Sequence, residues 1–225
     1  TDVSAGRGGG CAVDPQGEVW CWGVVPVQVD GVAGAVGVAA GQGGHGCAVT
    51  GGGEAWCWGN NYYGQLGNNT RGEPGEALGP VQVAGVTNAS EMVACARHSC
   101  ALTDNGRVLC WGDNASGQGG YGPQELSTVA RAVEPLQDVV DIACGDLHTC
   151  ALTAAGRVFC WGDNLSGQLG DGTNDDHRRP VQVHDIQDAV ALAAASSHAC
   201  AVLADGTVRC WGYDPYTMAL LAQEQ

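Results

Sequence analysis

The sequence predicts an all-β repeat protein of the solenoid or propeller kind, built from units of about fifty residues. Three observations carry that expectation. Cys-Trp-Gly occurs five times, beginning at Cys21, Cys57, Cys110, Cys160 and Cys210. Each copy has a second cysteine ten residues upstream, at Cys11, Cys47, Cys100, Cys150 and Cys200. These upstream cysteines follow one another at intervals of 36, 53, 50 and 50 residues.

Within each unit the paired cysteines define a hairpin. If Cys100 opposes Cys110, Ala101 faces Leu109, Leu102 faces Val108 and Thr103 faces Arg107, which leaves Asp104, Asn105 and Gly106 as a three-residue loop. Such a loop is a type I turn closed by a residue in the left-handed region, where glycine carries no Cβ penalty. The same arithmetic places Gly17, Gly53, Gly156 and Gly206 at that position elsewhere. Directly opposed residues of antiparallel strands lie close enough for a disulfide. Upstream of every hairpin except the first runs an apolar stretch: residues 36–40, 92–96, 139–144 and 190–195. Its Ala, Gly and Val suit the crowded centre of a radial array. Before these stretches come segments such as Pro80-Val-Gln-Val and Pro180-Val-Gln-Val, whose leading proline fits an edge strand. Each unit is thus expected to open with an outer strand, continue with an inner strand and end with the hairpin. The units span approximately 1–23, 24–70, 71–122, 123–175 and 176–213 of a single domain, followed by a tail at 214–225. Helix is confined to a turn or two within 217–223.

Composition bounds the function. The chain has 37 glycines against one Phe and two Met, so thin stacked layers replace a core of large side chains. The net charge is −15 and all nine basic residues are Arg. No basic stripe is present to neutralise phosphates, which argues against nucleic acid and against an anionic membrane surface. No apolar run approaches the roughly 18 residues that a membrane-spanning helix needs, so membrane insertion is not expected. The acidity reads as a solvated, repulsive surface. No n-region and h-region of an export signal stands at Thr1, so an exported protein has its signal outside this sequence.

The units resemble the regulator-of-chromosome-condensation repeat, the building block of a β-propeller family. The fourth unit carries the pattern best: Ala143-Cys144-Gly145, His148-Thr149, Ala151-Leu152, Gly156, Val158, Trp161-Gly162, Asn164 and Gly167-Gln168-Leu169-Gly170. Residues 36–212 carry the resemblance, and the cysteines flanking each hairpin are additions to it. The resemblance implies four-stranded blades in a ring usually of seven. Five hairpin units are visible here, so the chain is either a five-bladed ring closed by its tail or part of a seven-bladed one. The first unit passes from Trp22-Gly23 straight to Val24 and lacks the Gly-Gln-Leu-Gly loop.

The ten hairpin cysteines read as five disulfides in an oxidising compartment, hence a secreted, periplasmic or cell-surface protein. A zinc knuckle would need Cys-x-x-Cys, which is absent. Cys95 and Cys144, placed alike on the inner strands of adjacent units, are either small buried residues or a sixth, inter-blade pair. His45, His98, His148 and His198 each stand two residues before a hairpin cysteine. Because they ride the repeat, they read as structural groups orienting local hydrogen bonds. No nucleophile and base are singled out from the repeat, so neither catalysis nor a cofactor is expected. The acidic turn with Asp171, Asp175 and Asp176 is a weak calcium candidate, since the glycine and glutamate of an EF-hand loop are missing.

Loops after Cys-Trp-Gly vary most and are the expected binding face. Its candidates are Asn61, Tyr62, Tyr63, Gln65, Asn114, Gln118, Tyr121, Asn164, Gln168, Tyr213 and Tyr216. Tyrosine supplies the amphipathic area enriched at interfaces. The function expected is therefore a secreted or surface-displayed, non-catalytic propeller that binds another protein through one face. Secreted bacterial relatives that inhibit β-lactamases lend that role weight, as an implication of the resemblance. A subunit of an extracellular filament or sheath, formed by self-assembly, is the alternative, with a glycan-binding lectin behind it.

Overall fold

A computed structural model describes residues 1–6 and 8–213. The first sheet holds β1 (Asp2–Gly6), β2 (Gly9–Val13), β3 (Val19–Trp22) and β4 (Pro26–Gln28). The second holds β5 (Ala35–Ala40), β6 (His45–Thr50), β7 (Ala55–Asn60) and β8 (Ala77–Gln82). The third holds β9 (Ala89–Ala94), β10 (His98–Thr103), β11 (Val108–Asp113) and β12 (Leu126–Ala132). The fourth holds β13 (Val139–Cys144), β14 (His148–Thr153), β15 (Val158–Gly162) and β16 (His177–Gln182). β17 (Ala189–Ala195), β18 (His198–Leu203) and β19 (Val208–Gly212) form a three-stranded fifth sheet. These are the blades of a β-propeller, with no helix among the described residues. The expected helical turn at 217–223 and the ring-closing tail lie outside them.

The hairpin register is the one the cysteine spacing requires. Cys100 pairs with Cys110, Ala101 with Leu109 and Leu102 with Val108. Gly106 closes the turn at φ +72°, and the same position is left-handed at Gly17, Gly53, Gly156 and Gly206. The glycine of Cys-Trp-Gly has its own reason. Gly112 sits at φ +100° beside a register shift, and an added Cβ would lie 2.6 Å from the Arg97 carbonyl oxygen.

Two expectations need correction. The proline-led outer strand does not open its unit; it closes the preceding blade. β8 pairs with β7, and β16 with β15, because the loop after Cys-Trp-Gly returns the chain antiparallel to the hairpin. Nor is the first unit a bare hairpin. β1, a polar Asp-Val-Ser-Ala-Gly segment, supplies its inner strand, and β4 its outer one.

The core lies between blades rather than within them. In each hairpin the two cysteines and two aliphatic residues face one way, onto the next blade. Cys100, Leu102, Val108 and Cys110 pack against Val133, Leu136, Val139, Ile142, Ala151 and Trp161. Cys150, Leu152, Val158 and Cys160 do the same toward the fifth blade. Each aliphatic side chain removed from water there contributes about 1.5–3 kcal/mol. The packing runs in series from the first blade to the fifth. Among the described residues no strand of the fifth blade pairs with the first. Among the described residues nothing packs on the corresponding face of the fifth blade, and Val208 is 59% exposed where its counterpart Val158 is 0% exposed.

Candidate functional site

Three side-chain devices join the blades, and they explain most of the repeat motif. The first is the loop after Cys-Trp-Gly. Asn61 accepts from Leu66 N through Oδ1 and donates from Nδ2 to Thr70 O. Asn164 does the same with Leu169 N and Thr173 O. Gln65, Gln118 and Gln168 accept from Tyr63 N, Ser116 N and Ser166 N through Oε1. The second device is the motif tryptophan, which donates to the preceding blade's loop: Trp111 Nε1 to Gln65 O at 2.8 Å, Trp161 to Gln118 O at 2.9 Å, Trp211 to Gln168 O at 3.0 Å.

The third device is a histidine relay. Ser99 Oγ donates to Gln65 O at 2.9 Å, so it accepts from His45 Nε2 at 2.9 Å. Thr149 Oγ1 donates to Gln118 O at 2.9 Å and accepts from His98 Nε2 at 2.8 Å. The histidines are structural, as expected, but their bonds reach the next blade rather than staying local. Desolvation holds them neutral: it lowers His45 to about 4, His98 to about 3 and His148 to about 4, with His45 and His148 adding to the effect at His98, and His198 at His148. His148 is the exception in bonding. The fifth blade carries Ala199 where Ser99 and Thr149 stand, and neither buried ring nitrogen of His148 makes a hydrogen bond of good geometry.

These devices revise the binding-face candidates. Asn61, Gln65, Asn114, Gln118, Asn164 and Gln168 are buried, with their side-chain oxygens bonded within the loops and the Nε2 groups of Gln65 and Gln118 left without a partner, and they leave the candidate face. Tyr121 leaves it too. The third blade's loop has Gly119 in place of the buried Leu66 and Leu169, and the Tyr121 ring packs against that glycine. Its hydroxyl donates to Gly112 O at 3.0 Å, and burial raises its pKa. Tyr216 lies outside the described residues. Tyr62, Tyr63 and Tyr213 reach solvent.

Tyr62 and Tyr63 form the one aromatic pair among the described residues, edge to face with centroids 4.9 Å apart. Arg71 stands 5.4 Å from the Tyr62 ring and donates from Nε to Tyr62 O at 2.9 Å. Arg97, from the next blade, lies 4.9 Å over the Tyr63 ring and 3.9 Å from Asp113. The patch borders a cavity of about 410 Å³ whose walls include Gln42, Asn60, Arg97 and Asp146. Spacing alone did not single out Arg71 and Arg97, because neither recurs in the repeat.

The acidic turn is used internally. Asp171 accepts from Asn164 Nδ2 and Thr173 N and faces His177 Nε2 at 3.0 Å, and these partners hold its carboxyl below the usual range despite an opposing desolvation. Asp176 accepts from Asn164 N at 2.8 Å. Two of the three candidate carboxylates are thus committed to loop contacts, and Asp171, Asp175 and Asp176 form no group with metal-ligand spacing among the described residues. The group with metal-ligand spacing among the described residues is instead Cys95, His98 and Cys144.

All twelve cysteines pair. Five disulfides close the hairpins with Cα separations of 4.0–4.1 Å, and Cys95–Cys144 joins the third and fourth blades at 5.8 Å. The last pair is not placed alike on the two inner strands. Cys144 ends β13 opposite Thr149, whereas Cys95 follows β9 and corresponds to Gly145. Six disulfides fit an oxidising environment.

Stacked antiparallel blades joined by these loops define a β-propeller, a fold that typically serves as a protein-interaction module. The regulator of chromosome condensation (RCC1) repeat matches at 35–65, 94–118, 139–168 and 189–216, and in a second form at 52–102 and 155–202. The chain belongs to that family. It is 32% identical over 111 residues to human "Probable E3 ubiquitin-protein ligase HERC6", a stretch covering 48% of this chain and 11% of that protein. The crystal structure of human WBSCR16 superposes with TM-score 0.83 at 21% identity, covering 95% of this chain and 61% of that one. Yeast RCC1 (Prp20), solved bound to Kap60, gives 0.81 at 22%, covering 92% and 54%. At these identities the two structures speak to fold alone, and the chain spans little more than half of each.

Proposed function

We propose that this chain is a non-catalytic, extracytoplasmic protein-binding propeller whose contact surface centres on Tyr62, Tyr63, Arg71 and Arg97. The observation that carries the reading is the solvent-facing tyrosine pair, braced by two guanidinium groups from adjacent blades. Tyrosine and arginine are enriched at interface hot spots: tyrosine offers large area with two rotatable angles, and arginine a planar fork that bonds and stacks at once. The scaffold beneath is held by covalent bridges in every blade, so little ordering cost remains at binding. Yeast RCC1 bound to Kap60 provides a precedent for a protein partner. The six disulfides support the location.

The test is enrichment of partners from the extracellular fraction of the source cells with the wild-type chain and with Tyr62→Ser/Tyr63→Ser. Loss of two hot-spot residues is expected to weaken a bound protein at least about tenfold. Retention of every partner by the variant refutes the assignment of the face.

The exposed face of the fifth blade favours a second reading, head-to-tail self-association. Val208 is 59% exposed there, and Cys210 of the same face is exposed too. A heterologous contact of that kind does not close and yields fibres. Sedimentation velocity separates the readings, since concentration-dependent polymers abolished by Val208→Glu would support assembly.

A further inference from the structure

The bridge between the third and fourth blades has a neighbour that the hairpin bridges lack. The Sγ atoms of Cys95 and Cys144 and a ring nitrogen of His98 all lie within 4.8 Å of one another. The relay decides which nitrogen is free. Thr149 Oγ1 spends its proton on Gln118 O, so the Nε2 of His98 must donate to it, and Nδ1 is left as an unprotonated lone pair. Buried Nδ1 has no hydrogen-bond partner. The edge of the ring that carries Nδ1 faces the position of Cys95. In the fourth blade that position is Gly145, where an added Cβ would lie 2.6 Å from His148 Nδ1; in the second it is Gly41, 2.9 Å from His45 Cε1. The third blade alone fills it with sulfur.

We propose that reduction of the Cys95–Cys144 disulfide converts this staple into a Cys₂His site for a thiophilic metal ion, with Zn²⁺ as the reference ligand. A dithiol reductant supplies two electrons and two protons: its own sulfurs become a disulfide, and Cys95 and Cys144 become thiols. Binding of Zn²⁺ then releases both protons and forms two Zn–S bonds and one Zn–N bond to His98 Nδ1. Zinc bonds of about 2.3 Å to sulfur and 2.0–2.1 Å to nitrogen place such ligands roughly 3.5–3.8 Å apart, so the two sulfurs, bonded to each other in the disulfide, must separate on reduction while staying beside His98. The Nε2–H bond to Thr149 is the outer-shell contact that fixes tautomer and orientation in histidine metal sites. Three protein ligands leave a fourth position for water.

Access favours this bridge over the hairpin bridges of the second, third and fourth blades. Cys95 and Cys144 line an axial cavity of about 510 Å³, and Cys144 is half-buried. The hairpin bridges of the second, third and fourth blades are sealed between sheets, with every cysteine 0% exposed. The more exposed Cys200–Cys210 pair and the Cys11–Cys21 pair, which lines a cavity of its own, are the competitors, and neither forms such a group with a histidine among the described residues.

The test uses the full chain, reduced with a limiting phosphine, with the opened bridge located by alkylation and peptide mapping. Cobalt(II) serves as the spectroscopic probe. The expected result is one equivalent of cobalt with sulfur-to-cobalt charge transfer and the ligand-field bands of a tetrahedral ion, together with protection of Cys95 and Cys144 from alkylation. Cys200→Ser/Cys210→Ser should retain the signal, and Cys95→Ser/Cys144→Ser should lose at least about a hundredfold in affinity. X-ray absorption of the zinc-loaded wild type should show two sulfurs and at least one nitrogen, a reading that needs no variant to fold. Absence of thiolate coordination, or a signal that follows Cys200 and Cys210 instead, overturns the proposal.

Discussion

The unpartnered His148 gives the sharpest test of the relay. In the second and third blades the histidine Nε2 meets a hydroxyl of the next blade, and that hydroxyl reaches a glutamine carbonyl. At the fourth blade the acceptor is missing because residue 199 is alanine, fully buried with an Ala side chain in the place of Ser99. Ala199→Ser adds one oxygen where the repeat already has room for it. The new hydroxyl would accept from His148 and donate to Gln168 O, which currently receives only Trp211 Nε1 and retains a second lone pair. A typical net hydrogen bond contributes about 0.5–1.5 kcal/mol, and relief of an unsatisfied buried group adds to it. The expected gain is therefore about 1–2 kcal/mol. For a chain of this size that raises Tm by roughly 2–8 °C. The assay is thermal and denaturant unfolding of wild type, Ala199→Ser, His148→Leu and the double variant. The serine should stabilise only where His148 is present. A serine that is neutral or destabilising, or that stabilises equally in the His148→Leu background, would refute the relay.

Other perturbations test the remaining devices. Cys95→Ala/Cys144→Ala opens a loop spanning 49 residues of sequence separation, against ten for a hairpin bridge. Chain entropy makes that worth about 4 kcal/mol, compared with about 3 for a hairpin, measurable as a shift in the denaturant midpoint. Acid should destabilise the propeller. His45, His98 and His148 have folded values depressed to about 4, 3 and 4, so above pH 6.5 both states hold them neutral. Below 6.5 the unfolded chain takes up protons that the folded one refuses, and stability falls until the folded values are reached, with a slope on the order of 3–4 kcal/mol per pH unit near pH 5. A flat stability profile between pH 6.5 and 4 would contradict their burial. Glu91 works in the opposite sense. Desolvation first, then the charges of Asp141 and Asp2, raise it to about 7, so its contribution is intact below pH 4.5 and is lost as pH rises through 7. Glu91→Gln should stabilise at pH 8 by about 1–3 kcal/mol and have no effect at pH 4, as read by denaturant titration at the two pH values.

Much of the fold is legible because the repeat states each local rule several times. A turn glycine six residues into a cysteine pair says little once, and fixes a hairpin register when it occurs five times. The two misreadings have physical causes. β1 was invisible because its Asp and Ser are polar: Asp2 Oδ2 and Ser4 Oγ accept from Val38 N and Ala40 N of the next blade, so a polar inner strand bonds its neighbour where an apolar one would pack. The outer strands read as part of the following unit because a sequence shows which segments are strands but not which edge each one joins. The candidate face suffered from the same blindness. Asn61 and Gln65 look like loop-surface residues, yet they supply the bonds that let the loop accept a tryptophan from another blade.

Taken alone, the order of residues determined what is local: strand periodicity, the hairpin turns, the five cysteine pairs ten residues apart and the acidic surface. Those follow from backbone sterics and from distances of a few residues, which the chain encodes directly. Only the tertiary structure decided what happens at the boundaries between blades, where atoms some fifty residues apart come within bonding distance. There it paired Cys95 with Cys144, bonded His98 to Thr149, left His148 facing an alanine, and set Arg97 over Tyr63. Such contacts depend on the stacking of whole sheets, and stacking is fixed by the summed burial of many side chains rather than by any one stretch of sequence.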